Sequence, residues 1–153
     1  QSMLEKRRGL AKFGLEKAEK HFHVELKSAR LRLHGVADAV LISDSGISIL
    51  EFKPEAKSVS RGQIIQAVAY GLLAEEQFGI GLHGVYILHG QRGKTKTACD
   101  IQTWRAVVLD LTSSLHKDLE AGIMPPSDAD SSKCGQCEYI NFCADRDLNI
   151  ECK

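Results

Sequence analysis

The clearest alternation along the chain lies in residues 21–27, HFHVELK, where Phe22, Val24 and Leu26 fall on one side and His21, His23, Glu25 and Lys27 on the other. A period of two marks a half-buried strand. The pattern resumes in ARLRLHGVADAVLI with Leu31 and Leu33, then becomes a mostly apolar run to Ile42. SDSG at 43–46 is a turn signal, and ISILEFK at 47–53 predicts another strand, stopped by Pro54. The three segments together predict an antiparallel meander.

After a polar loop at 55–62 the spacing becomes helical. In residues 63–79, Ile64, Ile65, Val68, Ala69, Leu72 and Leu73 form a wide apolar stripe, with Ser60 as N-cap and Gly79 as the C-terminal stop. LHGVYILHG at 82–90 predicts a buried strand, QRGKTK at 91–96 a basic turn, and TACDIQTW at 97–104 a following strand. Residues 105–122 return to a helical period through Val108, Leu111, Leu115 and Leu119. Residues 3–19 are rich in helix formers but broken by Gly9 and Gly14, which predicts a short helix and a turn. MPPSDADSS at 124–132 reads as a linker. The order predicts an α/β fold, a mixed central sheet flanked by helices, with a core at 1–123 and a cysteine module at 124–153.

Composition sharpens this further. The 153 residues, 43% hydrophobic and 26% charged, suit one ordinary globular domain with a small appendage. Lys+Arg and Asp+Glu are both 20, which excludes a massively basic nucleic-acid coat but leaves a local basic groove open. No apolar run approaches the roughly 20 residues of a membrane helix, and no signal-peptide pattern opens the chain. These features point to a soluble cytoplasmic protein without a membrane partner. Of five cysteines, Cys134, Cys137, Cys143 and Cys152 crowd into the last twenty residues. An odd count with a C-x2-C fits metal or cluster ligation in a reducing compartment better than a secreted disulfide framework.

The charges in the meander raise the chemical question. Counting outward from a turn centred near Ser45 sets Asp38 opposite residues 51–53. Glu51 and Lys53, two apart, share one face, while Phe52 faces the other. Glu-x-Lys alone reads equally as a surface ion pair; Asp38 across the turn changes that balance. Charges on apolar strands are costly unless paired or metal-bound. Two carboxylates and the Phe52 carbonyl offer hard oxygen ligands for Mg2+ or Mn2+, and a lysine beside them suits phosphodiester hydrolysis. Gln63, Gln66 and Tyr70 recur along one face of the predicted helix, where they could reach a phosphate or an attacking water, or simply be solvated.

Cys134-x2-Cys137-x5-Cys143 places three thiols within ten residues, suited to zinc or a [4Fe–4S] cluster, each of which wants four ligands. Cys99 and Trp104 read as core. Lys57, Arg61, Arg92, Lys94 and Lys96 form a set able to line a phosphate groove, and Tyr139 could stack on a base.

The ordered motifs GVAD, EFK and QAVAY resemble the RecB-like branch of the PD-(D/E)XK nuclease superfamily, and MPP with KCGQCEYINFC resembles the iron–sulfur module of the CRISPR-associated exonucleases in that branch. The likeness runs from about residue 10 to residue 146. It implies a restriction-endonuclease-like core and a metal-dependent DNA exonuclease acting on single strands, in CRISPR spacer acquisition or recombination-type processing. It implies that Asp38, Glu51 and the Phe52 carbonyl bind Mg2+ or Mn2+, that Lys53 is the catalytic lysine, and that Gln66 and Tyr70 form the Gln-x3-Tyr motif. It further implies a [4Fe–4S] cluster on Cys134, Cys137 and Cys143, with zinc as the alternative, and CRISPR integrase proteins as partners. The family's upstream metal-binding histidine is not matched by His21 or His23, which read as strand residues, nor by His34 at a strand end. That histidine and a fourth cysteine are expected before Gln1, with Cys152 as a substitute ligand, so the core is read as lacking its N-terminal part. A catalytically inactive DNA-binding or adaptor module on the same fold is the rival expectation.

Overall fold

The computed structural model describes residues 17–93, 95–123, 134–135 and 137–143, the side chains of Arg92 and Phe142 apart. The expected helix at 3–19 falls mostly outside the described residues, as do the linker at 124–132, Lys94 and Cys152. Two units are distinguished, residues 1–111 and 112–153.

The first unit holds a five-stranded sheet in the order β1-β2-β3-β4-β5. Strands β1 (Glu19–Ser28), β2 (Leu33–Ser43) and β3 (Gly46–Lys53) form the expected antiparallel meander. The β2–β3 turn closes at Ser43 opposite Gly46, so its loop is only Asp44 and Ser45. Helix α1 (Arg61–Phe78) then crosses to β4 (Leu82–His89), which runs parallel to β3, and β5 (Thr95–Ala98) returns antiparallel on the far edge. The sheet is therefore mixed, as the motif order predicts.

Helix α1 begins where its sequence dictates. Ser60 Oγ accepts from the Gln63 N–H, and the Gln63 side chain accepts from the Ser60 N–H, a reciprocal capping box. Gln63 is thereby committed to the helix start rather than to a ligand. Ala67, Val68, Leu72, Leu73 and Ala74 bury against Val40, Ile47, Ile49, Val85 and Ile87 on one sheet face, the larger core. Ala39, Leu41, Leu50 and Leu88 form a smaller core on the other face.

The C-terminal half of α1 is bolted to its neighbours by polar side chains. The Gln77 carboxamide accepts from the Lys27 N–H and donates to the Glu25 carbonyl, both 3.1 Å, along the outer edge of β1. Glu76 accepts from Ser28 and pairs with Arg30. Glu75 accepts from the Leu82 N–H and from Arg105 at 2.7 Å. The Arg105 guanidinium holds the Glu75 carboxyl below the usual carboxylate range, against a smaller upward push from burial.

One expected strand is a helix instead. Residues 97–104 divide between the end of β5 and the start of helix α2 (Ile101–Ala121). The cause is Asp100, whose carboxylate accepts from the Gln102 N–H at 3.2 Å and from the Thr103 hydroxyl at 2.6 Å. An Asx cap of this kind starts a helix regardless of the alternation before it. Trp104 consequently packs from a helix against the larger core, which Cys99 also joins. Burial pushes the Cys99 thiol up to about 11, consistent with a core residue. Farther along α2 the expected stripe is real as a helix face, yet Leu111, Leu115 and Leu119 are exposed. No helix among the described residues is long and apolar enough to cross a membrane.

Candidate active site

The site residues meet where the regular ladder between β2 and β3 stops. The last paired residues are Ala39 and Leu50. Beyond them, side chains replace the ladder: the Asp38 N–H donates to Glu51 Oε1 at 3.1 Å, and the Phe52 N–H donates to Asp38 Oδ2 at 2.8 Å. Each carboxylate thus satisfies the backbone of the opposite strand. The hairpin count correctly sets Asp38 against residues 51 and 52.

The other neighbour of β2 shows why the strand changes character here. Phe22 and Ala39 pair and pack with the smaller core, whereas Val24 and Ala37 pair and pack with the larger one. Residues two apart share a face in a regular strand. Both strands therefore turn over between these pairs, at His23 and Asp38. His23 takes φ +52°, an uncommon left-handed conformation for a residue with a side chain. This turnover lies outside what alternation can predict.

Lys53 completes the cluster, its Nζ 3.2 Å from Glu51 Oε2. Glu51 is only 2% exposed. Burial, the largest influence, pushes its carboxyl above the ordinary glutamate value; the Asp38 N–H opposes this, the Asp38 carboxylate adds to it, and Lys53 opposes it. Phe52 turns away and packs with the smaller core, as expected. The arrangement is a buried acid whose charged form is disfavoured by burial, beside a second acid and a cation. Such a site has capacity for additional positive charge. Among the described residues, no three His, Cys, Asp or Glu side chains converge as a metal-binding group. His21 pairs with Glu19 and stacks near Phe78, and His34 lies exposed on β2.

Gln66 and Tyr70 are joined, Gln66 Nε2 donating to the Tyr70 hydroxyl at 3.0 Å. Tyr70 lies directly on the backbone of Gly35, three residues before Asp38: a Cβ at position 35 would sit 2.5 Å from Tyr70 Cε1. A glycine inside a strand signals such a close approach, and Gly35 is the residue that motif reading passes over. Gly35→Ala is expected to displace the phenol, break its bond to Gln66, and lower nuclease turnover about tenfold with only a modest loss of stability. Paired thermal melts and initial rates on DNA check this; an unchanged rate would show that the phenol's place is irrelevant.

Of the basic residues, Lys57 and Arg61 lie exposed in the loop and first turn leading from β3 into α1. Lys96 instead sits 5.3 Å from the Tyr86 ring centroid, and Tyr86 packs with the smaller core, so Lys96 does not share the face of Glu51. Alternation along β5 imposes this.

In the second unit Cys134 and Cys137 belong to one turn, the Cys137 N–H donating to the Cys134 carbonyl at 3.1 Å. A single 3-10 turn, Ile140–Phe142, leads to Cys143, and Tyr139 is exposed.

An antiparallel strand pair carrying Asp38 on one strand and Glu51-x-Lys53 on the other, with the Gln66-x3-Tyr70 helix packed against it, is the layout of a nuclease core. The PD-(D/E)XK nuclease superfamily profile matches residues 2–144, and the chain belongs to that superfamily, among its CRISPR-associated exonucleases. It is 34% identical over 145 residues to the CRISPR-associated exonuclease Cas4 of Francisella tularensis subsp. novicida, covering 94% of this chain and 72% of that protein. It is 32% identical over 137 residues to the CRISPR-associated exonuclease Cas4 of Aeropyrum pernix, covering 85% of this chain and 68% of that one.

Proposed function

We propose that the protein is a divalent-metal-dependent DNA exonuclease that acts on single strands during CRISPR spacer acquisition or related DNA processing. The observation that carries this is the buried Glu51, hydrogen-bonded to the Asp38 backbone and to Lys53 at the point where β2 and β3 part. The relatives' names supply the CRISPR setting.

The donor set fits Mg2+ or Mn2+: the Asp38 and Glu51 carboxylates and the Phe52 carbonyl are hard oxygens, and the raised Glu51 carboxyl reflects a charge that a cation would offset. A divalent ion held by these oxygens would supply Lewis acidity for the hydrolysis. Lys53 places its ammonium at the same edge, where it steadies charge developing on the phosphate. Gln66 and Tyr70 orient the strand or the water from α1. Lys57 and Arg61 hold the phosphate backbone nearby. Residues 1–123 form the nuclease core and 124–153 the cysteine module, with Cys134, Cys137 and Cys143 as ligands of a [4Fe–4S] cluster, or of zinc. CRISPR integrase proteins are the partners this reading assigns, in the cytoplasm.

The test is degradation of end-labelled single- and double-stranded DNA by the purified protein with Mn2+, Mg2+ or EDTA. Metal-dependent loss of the single strand from its ends is expected. Tight DNA binding without cleavage under any metal would make the chain a binding module instead. A visible absorbance band that disappears on iron removal is expected for the cluster; a colourless protein containing zinc would reassign it.

A further inference from the structure

Among the described residues two buried side-chain polar atoms have no hydrogen-bond partner, Ser48 Oγ and His89 Nδ1. Buried polar groups are nearly always paired, so each exception calls for a reason. Ser48 lies at the start of β3, in register with Gly84 and away from the site. His89 is the last residue of β4, 6% exposed, and stands in register with Lys53.

That register is built into the sheet. β4 carries one extra residue near its start, since Ile47 pairs with Leu82 but Ser48 with Gly84. From there the pairs run without interruption, Glu51 beside Ile87 and Lys53 beside His89. Val85 and Ile87 belong to the larger core, so alternation puts His89 on the face that carries Glu51 and Lys53. The other ring nitrogen is already engaged, His89 Nε2 lying 3.0 Å from Thr97 Oγ1 on β5. The imidazole is thus held from one side while Nδ1 stays unsatisfied, on a residue in register with Lys53 and on its face of the sheet. Lys53 Nζ meanwhile contacts Glu51 Oε2 at 3.2 Å. A cation on Glu51 would compete for that carboxylate and leave the ammonium short of an acceptor.

We propose that His89 is a positioning residue of this site, its Nδ1 accepting a hydrogen bond from the Lys53 ammonium once Glu51 engages a divalent cation. The inference rests on the nuclease reading above for its cation and on the β3–β4 register for its geometry. It requires the Nε2–H tautomer, with Nε2 donating to Thr97 and Nδ1 carrying no proton. The buried unsatisfied nitrogen then has a reason: it is spare in the metal-free state and used in the loaded one.

The experiment combines imidazole 15N NMR with two substitutions. In metal-free protein, His89 is expected in the Nε2–H tautomer with a bare Nδ1 signal. Adding Mg2+ should shift Nδ1 towards the hydrogen-bonded range, and Lys53→Met should abolish that shift. A proton on Nδ1, no shift with Mg2+, or the same shift in Lys53→Met overturns the proposal. For activity, His89→Asn places an amide near the Nδ1 position and His89→Gln places one near the Nε2 position. Asn is expected to keep kcat within about threefold, while Gln lowers kcat about tenfold or more with KM unchanged. The reverse ranking, or equal losses that track melting temperature, overturns it. If the unsubstituted protein fails to degrade DNA, the nuclease reading falls, while the NMR arm still decides whether Nδ1 receives Lys53.

Discussion

Glu51→Gln is expected to cut DNA degradation by about 10³-fold or more while making the metal-free protein harder to unfold near neutral pH. The two effects share one cause. Glu51 is almost wholly buried, and burial raises its carboxyl pKa above that of the unfolded chain. A raised folded-state value contributes stability that is complete below the unfolded pKa and is lost as pH rises through the folded pKa. The ionised form of Glu51 is therefore a liability in the fold. Glutamine removes the charge and still offers an oxygen to the Asp38 N–H. Thermal melts in EDTA across the acidic to neutral range check this. The variant should melt higher near neutrality, with the gap closing towards acid. Equal melting throughout would mean that Lys53 already compensates the charge. Lys53→Ala should also abolish cleavage but lower stability, because it strips Glu51 of its cation. Opposite stability changes with the same loss of activity would separate the roles of the two residues.

Gly46→Ala is expected to cost about 3–5 kcal/mol, enough to leave much of the protein unfolded at moderate temperature. Gly46 opens β3 at φ +123°, and an added Cβ would stand 2.5 Å from the Gly81 carbonyl oxygen, a backbone atom that cannot swing aside. The same carbonyl accepts from the Ile47 N–H at 2.9 Å and so fixes where β4 begins against β3. Gly62→Ala is the control. It lies in the first turn of α1 with nothing within 4 Å of the new carbon, and it should hold or gain stability. Urea unfolding of both variants is the measurement. A mild loss in Gly46→Ala would show that the hairpin can shift, and with it the pairing of Lys53 and His89.

What the residues announce in advance, and what they conceal, follows from the range of the forces involved. The SDSG turn fixes a short hairpin, so a count along the chain brings Asp38 to Glu51. The helix from Arg61 to Phe78 is bounded by its own caps and is equally legible. Gln63 shows the limit: Ser60-x-x-Gln63 is a capping signature, yet its place in line with Gln66 and Tyr70 suggests a ligand. Alternation through 97–104 loses to Asp100 because one carboxylate capping two donors outweighs weak strand preference. The turnover at His23 and Asp38, the seat of Tyr70 on Gly35 and the neighbour of His89 depend on contacts across strands. No local pattern carries them.

The Gln77 carboxamide has a consequence for how the molecule behaves in company. An outer strand with open N–H and C=O groups is a template on which another extended chain can grow. On β1 the Lys27 N–H and the Glu25 carbonyl, two such groups, are occupied by a side chain with the same donor and acceptor as a peptide bond. Helix α1 thus imitates a sixth strand without adding one. The opposite margin, β5, is four residues long and gives an incoming strand little to hold. Fibre-like addition is discouraged at both margins, and one glutamine does much to keep the sheet finite.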